Sequence, residues 1–282
     1  MLIAQITDIH LGFDPDNPGE FNRQRLDQVL RALHDGPNRP DLLLATGDLT
    51  EYGDPDSYRR FAEAVGQCEF PVWPGMGNHD DRANFAAIFP DIPQEDGFVH
   101  YVIPLPGRRI IMLDTLEPGR HGGAFCERRA AWLAARLDED SVTPTLIVMH
   151  HPPVEAGIEW MNTHPAERWV QRFAAVISGR PNIAAILCGH LHRTITAPWN
   201  GTTVAICSST APQLALDLRA MDPEAPDDRP MIIADAPAYA LHRWTEAGFL
   251  THFETAGDHA TLARFDAGMQ PLVRSLLNER PV

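Results

Sequence analysis

The chain has 282 residues, of which 44% are hydrophobic, and this length suits one large α/β unit with an accessory segment better than two equal domains. Its formal charge of −15 repels phosphate backbones, and no basic run longer than the pairs Arg59-Arg60, Arg108-Arg109 and Arg128-Arg129 offsets it, so duplex nucleic acid is excluded as a natural partner. All 23 basic residues are arginine, which removes Schiff-base chemistry and P-loop nucleotide hydrolysis, since both need a lysine.

Leu2–Ile6 is the first apolar run of buried-strand length, and Asp8 and His10 follow it. Residues 23–33 carry helical spacing, and the run Leu42–Ala45 then ends at Gly47-Asp48. A second helical segment, 56–65, precedes the short run 70–73, whose Pro74-Gly75 turn leads into Gly77-Asn78-His79-Asp80. Beyond it lie an apolar run at 110–113, a helical segment at 127–137 with Trp132, Leu133 and Leu137 on one face, and a run at 146–149 that ends in His150-His151. A helix over 167–177, a strand over 183–187 that ends in Gly189-His190-Leu191-His192, and a strand over 204–207 complete the alternation. Strands and crossover helices in this order predict a layered α/β core. Residues 221–237, rich in Pro, Asp and Ala, read as a loop or cap, and 239–244 with 249–253 as a closing β-hairpin around Ala247-Gly248.

Nothing in the chain reaches the roughly 18 apolar residues of a membrane span, and the apolar start is too short for a signal segment, so a soluble, cytoplasmic protein without membrane partners is expected. Cys68, Cys126, Cys188 and Cys207 lack CxxC spacing and read as reduced thiols.

The polar residues fall just after the apolar runs, at the carboxyl ends of the expected strands, where open α/β sheets bind ligands. Imidazoles, carboxylates and one amide converging there suit Zn, Mn, Fe or Co, whereas Ca or Mg favour oxygen-only sets. Two such ions about 3.5–4 Å apart would activate a water and clamp the oxygens of a phosphoryl transfer. Gly47, Gly77 and Gly189 are expected to supply tight turns that aim the next side chain inward.

Asp8-Ile9-His10, Gly47-Asp48, Gly77-Asn78-His79-Asp80, His150-His151-Pro152-Pro153 and Gly189-His190-Leu191-His192 resemble, in order and type, the five motifs of calcineurin-like metallophosphoesterases. The Asp-x-His start, the His-His-Pro-Pro motif and Ser208-Ser209-Thr210-Ala211-Pro212 resemble the branch of class III cyclic-nucleotide phosphodiesterases and glycerophosphodiesterases. The resemblance implies a four-layer αββα sandwich, with a catalytic core over 1–210 and a cap-like loop, hairpin and tail over 211–282 packed on it. It implies two divalent ions: Asp8, His10 and His192 on the first, Asp48 bridging, and Asn78, His150 and His190 on the second. The nucleophile of that family is a metal-bridging hydroxide, and His79, beside Asn78, would stabilise the scissile phosphate or protonate the leaving oxygen.

Taken alone, Asp-x-His is a common helix or turn cap and Gly-Asn-His a common turn; five motifs in one order are what outweigh those readings. His151 is the alternative to His150 as ligand. Asp80 and Asp81 are expected to orient the imidazole and its loop, and Asp114 to hold a strand end. The histidines outside the motifs, His121 and His242 among them, read as surface or satisfied core residues. Trp160, Met161 and His164, in the loop after His-His, are candidate substrate contacts.

The expected substrate is a small phosphodiester, a 3′,5′-cyclic nucleotide or a glycerophosphodiester. A phosphomonoesterase is the nearest alternative, disfavoured because no motif holds an arginine for the extra charge. A non-catalytic interaction protein would have lost ligand residues, and here none is missing. Association into a homo-oligomer stays open.

Overall fold

The apolar runs are buried on both faces because each central strand lies between a second sheet and a layer of helices. The computed structural model describes residues 1–246, 248–257 and 259–280. Its strands are β1 (Leu2–Ile6), β2 (Leu42–Ala45), β3 (Val72–Pro74), β4 (Tyr101–Leu105), β5 (Arg108–Leu113), β6 (Thr145–Met149), β7 (Ile183–Cys188), β8 (Ile195–Trp199), β9 (Thr202–Ile206), β10 (Gln213–Leu214), β11 (Ile232–Ile233), β12 (Ala238–Thr245) and β13 (Gly248–Thr255). The helices are α1 (Phe21–Asp35), α2 (Pro55–Val65), α3 (Arg82–Ile88), α4 (Glu127–Glu139), α5 (Arg168–Ile177) and α6 (Gln270–Asn278).

One sheet has the order β13-β12-β1-β2-β3, with β1, β2 and β3 parallel and the hairpin β12-β13 added antiparallel along β1. The other has the order β4-β5-β6-β7-β9-β8, parallel from β5 to β9 and antiparallel at both edges. Side-chain alternation sorts the second sheet's residues. Ile110, Met112, Leu146, Val148 and Leu187 pack towards the first sheet, whose outer side is covered by Leu26, Val29, Tyr58, Phe61 and Phe85 of α1, α2 and α3. Their neighbours Ile111, Leu113, Ile147, Met149 and Ile186 pack on Trp132, Leu133, Trp169 and Phe173 of α4 and α5. The result is the four-layer αββα sandwich.

The strand and helix positions read from the sequence hold to within a few residues. Edge strands β4 and β8 and helices α3 and α6 were not anticipated. Helix α3 has only seven residues and starts where the Asp81 carboxylate accepts from Asn84 N. The hairpin lies where expected, although Ala247 at its turn is outside the described residues. Asp114 holds a strand end, its carboxylate accepting from Arg82 at 2.6 and 2.7 Å and from the amides of Val99 and Leu116 at 3.0 Å each. Between the sheets the Gln5 amide donates to Thr46 Oγ1 and to Cys188 O, both at 3.0 Å, and its oxygen faces His242 Nε2 at 3.0 Å. No described helix is long and apolar enough to cross a membrane.

Candidate metal centre

The parallel strands of both sheets end on the same side, and the loops leaving them supply the motif residues: β1 gives Asp8 and His10, β2 Asp48, β3 Asn78 and His79, β6 His150, and β7 His190 and His192. The turns are tight. Asp8, His10, Asp48, His190 and His192 have φ of 51°, 52°, 48°, 71° and 47°, a left-handed conformation that few non-glycine residues adopt. They make up five of the eight positive-φ non-glycine residues among those described, so the local backbone strain gathers at this site. The motif Asp and His positions themselves, rather than only the glycines before them, take the unusual turn. At Gly77 and Gly189 the need is close approach: a Cβ would lie 2.2 Å from Asp48 Oδ1 in one case and 1.9 Å from Thr7 Oγ1 in the other. Gly47 alone of the three has a positive φ, 98°.

Asp8 and Asp48 are buried at the centre of the imidazoles. His150 Nε2 lies 3.1 Å from Asp48 Oδ2 and 3.8 Å from Asp8 Oδ1, His192 Nε2 lies 3.2 Å from Asp8 Oδ1, and His10 Nε2 lies 3.7 Å from Asp48 Oδ2. Three rings are fixed through Nδ1 by acceptors that cannot donate: Thr46 O for His150 at 2.9 Å, Pro212 O for His192 at 2.8 Å, and the Glu51 carboxylate for His10 at 2.7 Å. Each Nδ1 therefore carries the proton, and in a neutral ring Nε2 presents a lone pair. Those Nε2 atoms crowd against carboxylate oxygens and each other, His10 Nε2 and His192 Nε2 being 3.2 Å apart. Such an arrangement repels itself unless a cation stands between. Buried His150 Nε2 and Asn78 Oδ1 make no hydrogen bond; His150 Nε2 is near Asp48 but not aligned with it.

Electrostatics agrees with a site built for positive charge. Burial would push the Asp48 carboxyl up, yet the imidazoles around it, His150 foremost, hold it well below the usual carboxylate range. Burial likewise disfavours a charged His150, but Asp48 and Asp8 together lift it to about 9. Clusters of donor atoms close enough to share an ion comprise Asp8, His10 and His192; Asp8, Asp48 and His150; His10, Asp48 and His79; and His150, His151 and His190.

His151 differs from the other imidazoles because both of its nitrogens are occupied. Nε2 donates to His121 O at 3.0 Å, which leaves Nδ1 to accept from Thr115 Oγ1 at 2.8 Å. It ties down the loop bearing His121. Asp80 acts on the backbone and not on an imidazole, contrary to part of the expectation for it: Gly77 N, Leu49 N, Tyr58 OH and Thr50 Oγ1 lie 2.9, 3.3, 3.0 and 3.4 Å from its oxygens. His79 is held by its own amide on Asp48 Oδ1 at 2.8 Å and by Nδ1 donating to Glu51 O at 2.9 Å.

A pocket of about 790 Å³ opens over these residues. Trp160 and Met161 line it, in a 3-10 turn at Glu159–Met161. His164, the third candidate substrate contact, is exposed and not among the lining residues, and its Nδ1 accepts from Ala166 N at 3.1 Å. His121, set aside on sequence, does line the pocket, with Nδ1 at 3.5 Å from Asn78 Nδ2. Glu51, Phe13 and Phe21 were also missed. Glu51 sits three residues beyond Asp48, and the Phe residues lie in a loop with no periodicity to read.

A family model described as calcineurin-like phosphoesterase matches residues 1–194. A probable glycerophosphodiester phosphodiesterase of Arcobacter nitrofigilis is 31% identical, covering 91% of this chain and 94% of that protein. A probable cyclic nucleotide phosphodiesterase of Rhodopseudomonas palustris is 33% identical over 77% of this chain and 81% of its own, and a cAMP/cGMP dual specificity phosphodiesterase of Mycobacterium tuberculosis is 34% identical over 74% and 67%. Among solved structures, GAP50 of Plasmodium superposes with a TM-score of 0.60 at 13% identity, covering 93% of this chain and 87% of its own, a likeness of fold alone.

Proposed function

The chain belongs to the calcineurin-like phosphoesterase family, and from that premise we propose that it hydrolyses small phosphodiesters, a 3′,5′-cyclic nucleotide or a glycerophosphodiester, at a centre of two divalent ions. Asp8, His10 and His192 would hold one ion, Asn78, His150 and His190 the other, with Asp48 shared; Mn, Fe, Zn or Co suit the mixed nitrogen and oxygen donors. When bound, the ions would neutralise the phosphate and lower the pKa of a bound water.

The rest is work for side chains. Glu51, Thr46 O and Pro212 O set the tautomers of His10, His150 and His192 and so keep Nε2 available. His79 in its imidazolium form, with the Nδ1 proton bound to Glu51 O, would present a second proton at Nε2 to the departing oxygen. His151, with both nitrogens engaged, supports the loop of His121 and is not counted as a ligand.

The observation that carries this reading is the convergence of Nε2 lone pairs from rings locked at Nδ1 onto two buried carboxylates. Diesters are favoured over monoesters because the charged side chains lining the pocket, Asp14, Glu20, Asp48 and Glu51, are acidic and no arginine is among them. Assay of the metal-loaded enzyme on cyclic AMP, a glycerophosphodiester, a chromogenic diester and the matching monoester tests it. Turnover of the monoester above both natural diesters would reverse the assignment.

A further inference from the structure

The pocket is far larger than a metal-bound phosphate requires, and its outer wall is apolar. Phe13 and Phe21 come from the loop after β1 and the start of α1, Trp160 and Met161 from the 3-10 turn, and Leu214 and Ile232 from the paired strands β10 and β11. Three separate parts of the chain thus contribute apolar side chains to one face. Phe13, Phe21, Trp160 and Ile232 remain 65%, 53%, 42% and 56% exposed, an arrangement with no benefit to a solvated surface.

Three polar side chains on the same wall are already engaged. The Asn22 amide donates to His10 O at 2.9 Å, the Glu20 carboxylate accepts from Gly12 N at 2.5 Å and Asp14 N at 2.9 Å, and Asn17 Oδ1 accepts from Gly19 N at 3.1 Å. The Asp14 carboxylate and the Asn17 amide nitrogen are left as partners for the hydroxyls of a glyceryl moiety, against six apolar side chains. A second phosphate would meet acidic side chains only.

We propose that this wall is a specificity subsite for an uncharged, apolar substituent on the phosphodiester, so that the preferred substrates carry an aryl, nucleobase or alkyl group rather than a bare polyol. The proposal rests on the diesterase reading and narrows its substrate class. Planar and chain-like substituents share the chemistry that the wall recognises, which is burial of apolar surface against rings and aliphatic side chains.

The test is a series of para-nitrophenyl phosphodiesters with one common leaving group and methyl, octyl or phenyl as the second ester. The wild-type enzyme should favour octyl or phenyl over methyl by at least about tenfold in kcat/KM, carried by KM, since one stacked ring or two buried methylenes are worth that factor. A larger gain for phenyl marks a planar substituent as the natural one, and a gain of about fourfold per methylene along an alkyl series marks a chain. Phe21→Ala and Trp160→Ala should each shrink the preference ratio by about tenfold. A wild-type ratio near one, or a ratio that survives both substitutions, overturns the subsite. Failure of the metal-loaded enzyme to cleave even the methyl ester would instead remove the diesterase reading beneath it.

Discussion

Replacing Gly189 by alanine tests whether the site depends on close approach between the sheets. The added Cβ would lie 1.9 Å from Thr7 Oγ1, 2.9 Å from Thr7 Cβ and 2.8 Å from Asp8 Oδ2. An ordinary contact needs about 3.4 Å, so the worst of these is about 1.5 Å too short. Rotating Thr7 cannot relieve all three, because the Thr7 Cβ and the Asp8 carboxylate stay in the way. The relief must come from moving the loop after β7 away from β1. That loop is fixed there by His190 N donating to Asp8 Oδ1 and Oδ2 at 3.1 and 2.9 Å, so the shift separates His190 and His192 from Asp8. Overpacking of this kind costs about 1–3 kcal/mol of stability, while a displacement near 1 Å in a reacting constellation lowers turnover about 10²-fold. Denaturant unfolding, elemental analysis of bound metal and steady-state kinetics together measure the effect. Adding Thr7→Ala should restore part of the activity by removing the shortest contact. A Gly189→Ala enzyme within a few-fold of wild type, with both metals bound, would refute the account of this glycine.

Asp48→Ala should lower bound metal from about two ions towards one or none and abolish turnover, because one carboxylate faces both His150 and His10; elemental analysis and activity should fall together. His79→Ala should retain the metals yet lose about 10²–10⁴-fold in kcat, with a smaller loss on diesters whose leaving group departs unaided; loss of a metal would make it a ligand. Deleting 222–229, a segment linked to the pocket where Met221 N meets Glu159, should change KM for bulky diesters more than the rate on a small one, and equal loss on all substrates would mark it as structural. Burial holds His242 down at about 3, so between there and the unfolded value near 6.5 the unfolded chain binds more protons and stability falls as pH falls. From pH 7 to 5 this one group should account for about 2 kcal/mol, and unfolding of His242→Gln at the two pH values should show a drop smaller by that amount.

The central strands were legible because burial on both faces demands unbroken apolar runs such as 146–149 and 183–187, a pattern with few other meanings. Edge strand β8 was not: its residues alternate between half-buried and exposed, and Thr and Pro dilute the apolar signal. The candidate ligand residues stand out because their types suit metal coordination and their places fall at strand ends. Glu51 carries a carboxylate like many others, and only the 2.7 Å contact with His10 reveals its task. His121 was missed for a similar reason: it lies outside every motif, and a main-chain bond to His151 helps to set where its loop runs. His164 shows the converse: it follows the His-His pair closely in sequence, yet it is exposed and does not line the pocket.

Strand β1 carries Asp8 and His10 at its end, yet one of its two neighbours is β12, with Leu2 opposite Arg243 and Gln5 opposite Ala240. During synthesis β1 therefore waits for β12, which follows much later in the chain, with an open edge that could pair wrongly with another chain. Long sequence separation between partners slows folding, because a large loop must close before the contact stabilises anything. Folding of the nascent chain can organise β1 against β2 early, but the sheet gains its final rigidity, and Asp8 and His10 their fixed footing, only when the hairpin arrives.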